Sequence, residues 1–360
     1  MLSKTKNNKI FIKDLTREEL KKAVKIAGFP EYRGDQIFDE IYVKRTNSFD
    51  NMGLLPLELR DHLNKTYELD SLKLGKVRRS VDGSIKFLFE LQDDKSIEAV
   101  YMPWYDENFE DTSRITLCIS SMAGCPVECA FCATGSMGLL RNLTASEIID
   151  QILLTELETG KKVTNVVFMG MGEPMLNFKN VYKTLKVLTD PNNKLISRKR
   201  ITLSTVGFPN RIKELADSGM KIKLAISLHA TTNGFRDKLI PFLKNISINQ
   251  LMDSIEDYYR AVKIPLTYEY ILFDGMNDTA EDVKRLAKIA RRVPSRVNII
   301  PYNDISFTGP QGFAAELKPS SRSKIIEFAN ELRSMKVAVT VRDTFGSDIE
   351  AACGQLALSN

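Results

Sequence analysis

Three of the five cysteines in this 360-residue chain, Cys125, Cys129 and Cys132, stand close together in the stretch GCPVECAFCATGSMG. Thiols spaced in this way can hold a metal, but no further cysteine or histidine follows until His229. A structural zinc site normally takes four ligands, most often as two close pairs, and fits this pattern poorly. Three inert core cysteines would leave the loop composition unexplained, because Gly124, Pro126, Gly135 and Gly138 mark a loop and not an element. A [4Fe-4S] cluster explains more. Three thiolates hold three of its irons, and the fourth iron stays open to a substrate or cofactor.

Such thiols need a frame, and the sequence supplies one. From about residue 112, apolar runs alternate with helical patterns. Candidate strands are RITLCIS (114–120), VTNVVFMG (163–170), RITLSTVG (200–207), KIKLAISLH (221–229), LTYEYILF (266–273), RVNIIPYN (296–303) and VAVTVRD (337–343). Helices between them include TASEIIDQILLTELET, which opens with a capping box of Thr144 and Glu147. Repeated strand–helix units make a parallel sheet, open or curled into a barrel, with functional residues at the C-terminal ends of the strands. Polar residues stand at those ends: Gly172 and Glu173 after one strand, Ser204 in another, Ser227 and His229 closing a third and Asn303 closing a fourth.

The region before the sheet reads differently. LTREELKKAVKIAG carries a capping box of Thr16 and Glu19, and GDQIFDEIYVKR and LPLELRDHLNKTY repeat apolar residues at helical spacing. GSIKFLFEL and SIEAVYMPW, either side of QDDK, form a β-hairpin pattern. We expect a helical accessory domain over 1–75, a hairpin connector over 76–110 and the main domain over 111–360.

At 43% hydrophobic residues the chain can bury a substantial core. It shows neither a signal-peptide pattern nor an apolar run of about 18 residues, so we expect a cytoplasmic protein without a membrane partner. The net charge of +5 is modest. Basic clusters recur in KTKNNKIFIK, LKLGKVRRS, ISRKRI and IARRVPSR, expected near loops or helix ends. They permit RNA binding without establishing it.

CPVECAFC resembles the CxxxCxxC signature of radical S-adenosylmethionine enzymes, and FMGMGEP (168–174) is similar to their segment that holds the methionine amino group. The resemblance extends to the RlmN group of RNA adenine methyltransferases through RITLSTVG, AISLHA, NIIPYN and the C-terminal GSDIEAACGQL, while YRGDQIFDEIY and NMGLLPLELRDHL fit that group's N-terminal domain. It implies an α/β fold, a partial (βα)6-type parallel barrel with a small helical accessory domain and a β-hairpin. It also implies one [4Fe-4S] cluster on Cys125, Cys129 and Cys132, and two molecules of S-adenosylmethionine per turnover. The substrates implied are 23S ribosomal RNA, at an adenosine of the peptidyl transferase centre, and tRNA. A monomer reduced by a flavodoxin or ferredoxin is expected.

The resemblance also gives roles to residues that the sequence alone leaves open. Direct displacement on a methylsulfonium cannot reach ring carbon C2 or C8 of adenine, which is not nucleophilic. In the family scheme Cys353 takes the methyl group from one cofactor molecule, a radical made from the second activates it, and it is joined to the ring. Cys118 then opens the resulting thioether, leaving a Cys118–Cys353 disulfide. Glu98 matches a position assigned to removal of the C2 proton, and Gly172, Glu173, Ser204, Ser227, Leu228, His229 and Asn303 match cofactor-binding positions. One departure stands out: Phe345 precedes Gly346 where C2 enzymes usually carry arginine, a pairing closer to the sibling Cfr group, which methylates C8. C2 is the favoured target, C8 the alternative, and a non-enzymatic RNA-binding protein with a structural metal the third reading.

Overall fold

The computed structural model describes residues 9–105, 111–192 and 195–358, with the side chains of 111–113 excepted. Residues 4–8 of the first basic cluster lie outside the described residues.

The main sheet has ten strands, numbered here β1 to β10 within it: Leu72–Arg79, Ile85–Leu91, Ser96–Tyr105, Asp111–Cys118, Asn165–Phe168, Ile201–Thr205, Lys223–Ser227, Leu266–Leu272, Ser295–Pro301 and Val339–Val341. Their spatial order is their chain order. β4 to β10 are parallel, joined by helical crossovers such as Ala145–Thr159, Phe178–Leu188, Ala280–Ala290 and Arg322–Ser334. Phe168, Ser204, Ser227, Glu269, Ile300 and Arg342, one from each of β5 to β9 and one just past β10, line a single cleft. A flat sheet would spread six such positions over about 24 Å, so these strands curl around the cleft. The first and last strands of the sheet do not pair. The result is a partial barrel with six crossovers.

Each predicted parallel strand is present and stops short of the C-terminal end of its apolar run, although β4 begins before its run, at Asp111. VTNVVFMG, for example, is a strand only over Asn165–Phe168. The residues trimmed from the C-terminal ends become the cleft-lining loops. The capping boxes of Thr16 with Glu19 and Thr144 with Glu147 are both formed.

LKLGKVRRS is not a loop. It is the edge strand β1, antiparallel to β2, so β1, β2 and β3 make a three-stranded extension of the sheet that begins at Leu72. Charged side chains along an edge strand discourage pairing with other chains, and two of these are already engaged: Arg78 with Glu350 and Arg79 with Glu158.

The N-terminal helices Arg17–Ile26, Tyr32–Tyr42 and Leu57–Thr66 enclose their own core around Leu20, Phe38, Met52 and Leu63. That core also takes in Ile149 and Val187 of the main domain. Polar contacts cross the same boundary: Lys13 to Asp150, Arg17 to Asp190, and the Ser146 amide to Asp14 at 2.8 Å. Removing residues 9–66 would bare two apolar side chains and leave Asp150 without its cation Lys13, a burial penalty that couples the two regions. Among the described residues no helix is long and apolar enough to cross a membrane.

Candidate active site

The cysteine loop is pinched shut at its base. Met122–Gly124 pairs antiparallel with Leu139–Asn142, and the Cys125 amide donates to the Gly138 carbonyl at 2.8 Å. Gly124 has a φ of +73°, and a Cβ there would lie 2.0 Å from the Gly138 oxygen, so only glycine lets the strands close. Inside the loop the Cys132 amide bonds to the Cys129 carbonyl and the Gly135 amide to the Cys132 carbonyl. All three thiols line one cleft. Burial pushes the Cys125 thiol up to about 12, and burial with the neighbouring thiols raises Cys129.

Across the cleft stands the loop after β5. Gly172 has a φ of +95°, and a Cβ there would meet the Met122 side chain at 2.5 Å. The buried Glu173 carboxylate accepts from the amides of Met175 and Val206, both at 2.9 Å, and burial raises its pKa to about 7. Ser204 and Ser227 face each other with hydroxyls 3.4 Å apart. His229 Nδ1 accepts from the Ile271 amide at 3.1 Å, its ring rests edge-on to Phe131, and burial holds it down to about 3, so the imidazole is neutral. Behind the cysteines lies Arg236, almost wholly buried. One guanidinium nitrogen donates to the Val206 carbonyl, while Nε and Nη1 have no partner among the described residues.

A second, smaller cleft adjoins the first. Cys118 and Cys353 both line it, and Met169, Ile300, Arg342, Cys353 and Gly354 line both clefts. Cys118 is buried and Cys353 exposed, and both are free thiols. Burial pushes Cys118 up to about 12 and the adjacent Cys353 adds to this, while Arg342 acts in the opposite direction. Cys353 and Glu269 raise the pKa of Arg342 in turn. Arg342 Nη1 lies 3.5 Å from the Glu269 carboxylate. Phe345 lines this cleft and packs on Trp104 with ring centroids 5.3 Å apart, and the Arg114 guanidinium lies 4.2 Å over the Trp104 ring.

The chain matches two family models: the radical SAM superfamily over residues 119–290 and the ribosomal RNA large subunit methyltransferase N-terminal domain over 10–69. It is 44% identical over 347 residues to a probable dual-specificity RNA methyltransferase RlmN of Thermotoga sp. (strain RQ2), covering 96% of each chain. The protein of the same name from Salinibacter ruber is 38% identical over 359 residues, covering 98% of this chain and 95% of that one. The crystal structure of a radical SAM methyltransferase from Sphaerobacter thermophilus superposes with a TM-score of 0.87 at 36% identity, covering 96% of this chain and 98% of the other. The chain belongs to the RlmN family of radical SAM RNA methyltransferases.

The cleft suits the cofactors that family membership implies. Among the described residues no three His, Cys, Asp or Glu side chains converge to hold a single metal ion. Three thiols lining one cleft suit a cluster that keeps one iron open, and fall one short of the four ligands usual for structural zinc. The unpartnered nitrogens of buried Arg236 also call for an anionic neighbour, which thiolates and cluster sulfides provide. On the facing wall, Gly172 brings backbone close to the cleft and Glu173 supplies a carboxylate.

Of the residues expected to bind cofactor, Gly172, Glu173, Ser204, Ser227 and His229 line the first cleft. Leu228 does not; its side chain is fully buried in the sheet core. Asn303 lines the second cleft, and its amide nitrogen donates to the Cys353 carbonyl at 3.0 Å. Glu98 lines neither cleft, and its carboxylate is already engaged by Lys86 and by the amides of Ala357 and Leu358. The sequence reading passed over Arg342, Arg236 and Lys86. Arg342 had a usable signal, a cation directly after a strand in a barrel whose strand ends carry the site. Arg236 and Lys86 had none, since only the fold buries them.

Proposed function

We propose that this enzyme methylates C2 of an adenosine in 23S ribosomal RNA, and of an adenosine in tRNA, with Cys353 as the carrier of the new carbon. The carrying observation is that Cys118 and Cys353 share one cleft whose wall, at Arg342, Met169 and Ile300, is also the wall of the cysteine cleft. Cys125, Cys129 and Cys132 hold the cluster. Gly172, Glu173, Ser204, Ser227 and His229 hold S-adenosylmethionine. When bound, these groups supply the methyl group and a carbon-centred radical.

The chain's own residues do the rest. Exposed Cys353 presents its sulfur at the junction of the clefts and accepts the methyl carbon. That carbon would give one hydrogen atom to the carbon-centred radical and join C2, which would lose its hydrogen as a proton and return one electron to the cluster. Release falls to Cys118: its thiolate attacks the Cys353 sulfur, the bond from that sulfur to the new carbon breaks, and the electron pair stays with the carbon, which takes a proton to become a methyl group. The two thiols are thereby oxidised to a disulfide, which an external reductant resets. Arg342 opposes the upward push on Cys118 and so favours the attacking thiolate. A neutral His229 suits a cleft that binds a sulfonium cation, since a second positive charge there would repel it.

Phe345 on the wall of the second cleft favours a second reading, C8 methylation of the same adenosine. The N-terminal module, docked on the barrel, and the exposed run Arg198, Lys199 and Arg200 are the proposed phosphate grip. Arg292, in contrast, is paired with Asp253 and Glu256. We place the reaction in the cytoplasm, carried out by a monomer that receives electrons from a flavodoxin or ferredoxin. Expression in a host lacking the modification, followed by RNA digestion and mass spectrometry, will place the methyl group at C2. A methyl group at C8 would establish the Cfr-like reading, and unmodified RNA would refute both. In the same assay C118A is expected to accumulate protein joined to RNA through Cys353, while C353A forms neither adduct nor product.

A further inference from the structure

The carboxylate expected to serve as the general base is engaged in another task. Lys86 Nζ lies 3.3 Å from Glu98 Oε1, and both side chains are about 3% exposed or less. The antiparallel register pairs Lys86 with Val100 and Leu88 with Glu98, so the two charges meet diagonally on one face of the sheet. Each also reaches the C-terminal segment. Lys86 Nζ donates to the Glu350 carbonyl at 3.1 Å, just before Cys353 in the chain. Glu98 Oε2 accepts from the amides of Ala357 at 3.1 Å and Leu358 at 3.3 Å, just after it. The stretch Glu350–Leu358 is thus gripped on both sides of Cys353 by one buried ion pair.

We propose that the Glu98–Lys86 pair is a clamp that positions Cys353 at the junction of the two clefts, which makes Glu98 a positioning residue and not the base that removes the ring proton. Three observations combine. First, the segment brings few apolar anchors of its own, Ala351, Ala352 and Leu356 being the buried ones, so something else must hold it. Second, hydrogen bonds to an ionised acceptor in a dry site are stronger than those between neutral groups, and a buried ion pair missing one partner is strongly destabilised, so the two residues act as a unit. Third, both Glu98 oxygens are already engaged, Oε1 by Lys86 and Oε2 by the Ala357 and Leu358 amides, so a proton taken up there would weaken the grip it provides. The same strand face continues from Glu98 to Val100 and Met102, which do line the Cys118 cleft, so the clamp fixes Cys353 relative to the strand that carries its partner thiol's neighbours.

The proposal rests on Cys353 being the methyl carrier, but its first readout does not. In full-length E98Q and K86Q, amide hydrogen exchange of Ala357 and Leu358 and iodoacetamide alkylation of Cys353 are expected to accelerate about tenfold, as for the loss of a charge-assisted hydrogen bond. Exchange in the helix Ala145–Thr159 should stay as in the parent. E98Q/K86Q should match the single variants and not their product, because either loss opens the clamp. Cys353 methylation by S-adenosylmethionine, measured without RNA, should fall in parallel in all three. Unchanged exchange and Cys353 methylation in E98Q, with RNA methylation alone abolished, would overturn the clamp and restore Glu98 as a base. A K86Q protein indistinguishable from the parent would also overturn the clamp. If E98Q loses protection throughout, K86Q carries the test. Absence of Cys353 methylation in the parent protein would refute the carrier role while the exchange and alkylation data still decide the clamp.

Discussion

The cysteine loop and the C-terminal segment face the same cleft and share one backbone bond, from the Ala133 amide to the Gly354 carbonyl at 2.7 Å, but the contacts that hold each differ in kind. Residues 124–138 close on themselves through backbone bonds between Cys125 and Gly138, Cys129 and Cys132, and Cys132 and Gly135. Residues 346–358 hang largely from side chains of other elements. Asp82 takes the Gly346 amide, Ser80 and the Val81 amide hold Asp348, Asn303 holds the Cys353 carbonyl, and Thr134 holds the Leu356 carbonyl. A self-closed loop keeps its shape as long as its own backbone does. A tethered segment can lift away one contact at a time while the barrel stays folded. The difference suits the proposed chemistry, in which the cluster must stay put and one sulfur must meet a methyl donor, an RNA base and a second thiol in turn.

The largest effects are expected inside the loop. Replacing Cys125, Cys129 or Cys132 with alanine should abolish both bound iron and cleavage of S-adenosylmethionine, read by iron and sulfide analysis and by product chromatography. G124A should give nearly the same loss with every thiol present, because its Cβ cannot coexist with the Gly138 oxygen. A G124A protein with full cluster content would show that the loop does not hold itself. Next in size is Arg342. With Cys118 pushed up to about 12, its alkylation should be slow near neutral pH and rise about tenfold per pH unit towards that value. R342M removes the one cation acting downwards, so the Cys118 profile should move to higher pH. Protein joined to RNA should persist about 10-fold longer, read by stopped-time gel analysis. The smallest effect is expected at the tether: N303A loses one hydrogen bond worth about 1 kcal/mol, slowing Cys353 methylation a few-fold with unchanged cluster content.

The same contrast explains what the sequence made legible. The cysteine spacing, the glycines and the strand–helix alternation are local signals, and they led to the cluster loop, the parallel strands and the cleft residues from Gly172 to His229. Positions set by remote partners were not legible. Lys86 is one charge in an alternating strand until the hairpin register brings it to Glu98 and the C-terminal segment folds over both. LKLGKVRRS reads as a basic loop because its lysines and arginines hide a strand pattern whose pairing partner, β2, decides its conformation. Leu228 shares its motif with Ser227 and His229, yet its side chain falls on the opposite, core-facing side of the chain.

Trp104 is the single tryptophan of the chain, and it packs against Phe345, a residue of the stretch that leads into the tethered segment. Its indole also sits beneath the Arg114 guanidinium. Excited at the red edge of its absorption, where the eleven tyrosines do not absorb, the protein emits from this one indole, whose surroundings change when the neighbouring phenylalanine leaves. Docking and release of the stretch that carries Cys353 can be followed as a shift in intrinsic fluorescence, in the unlabelled native chain and on the timescale of mixing with cofactor or RNA.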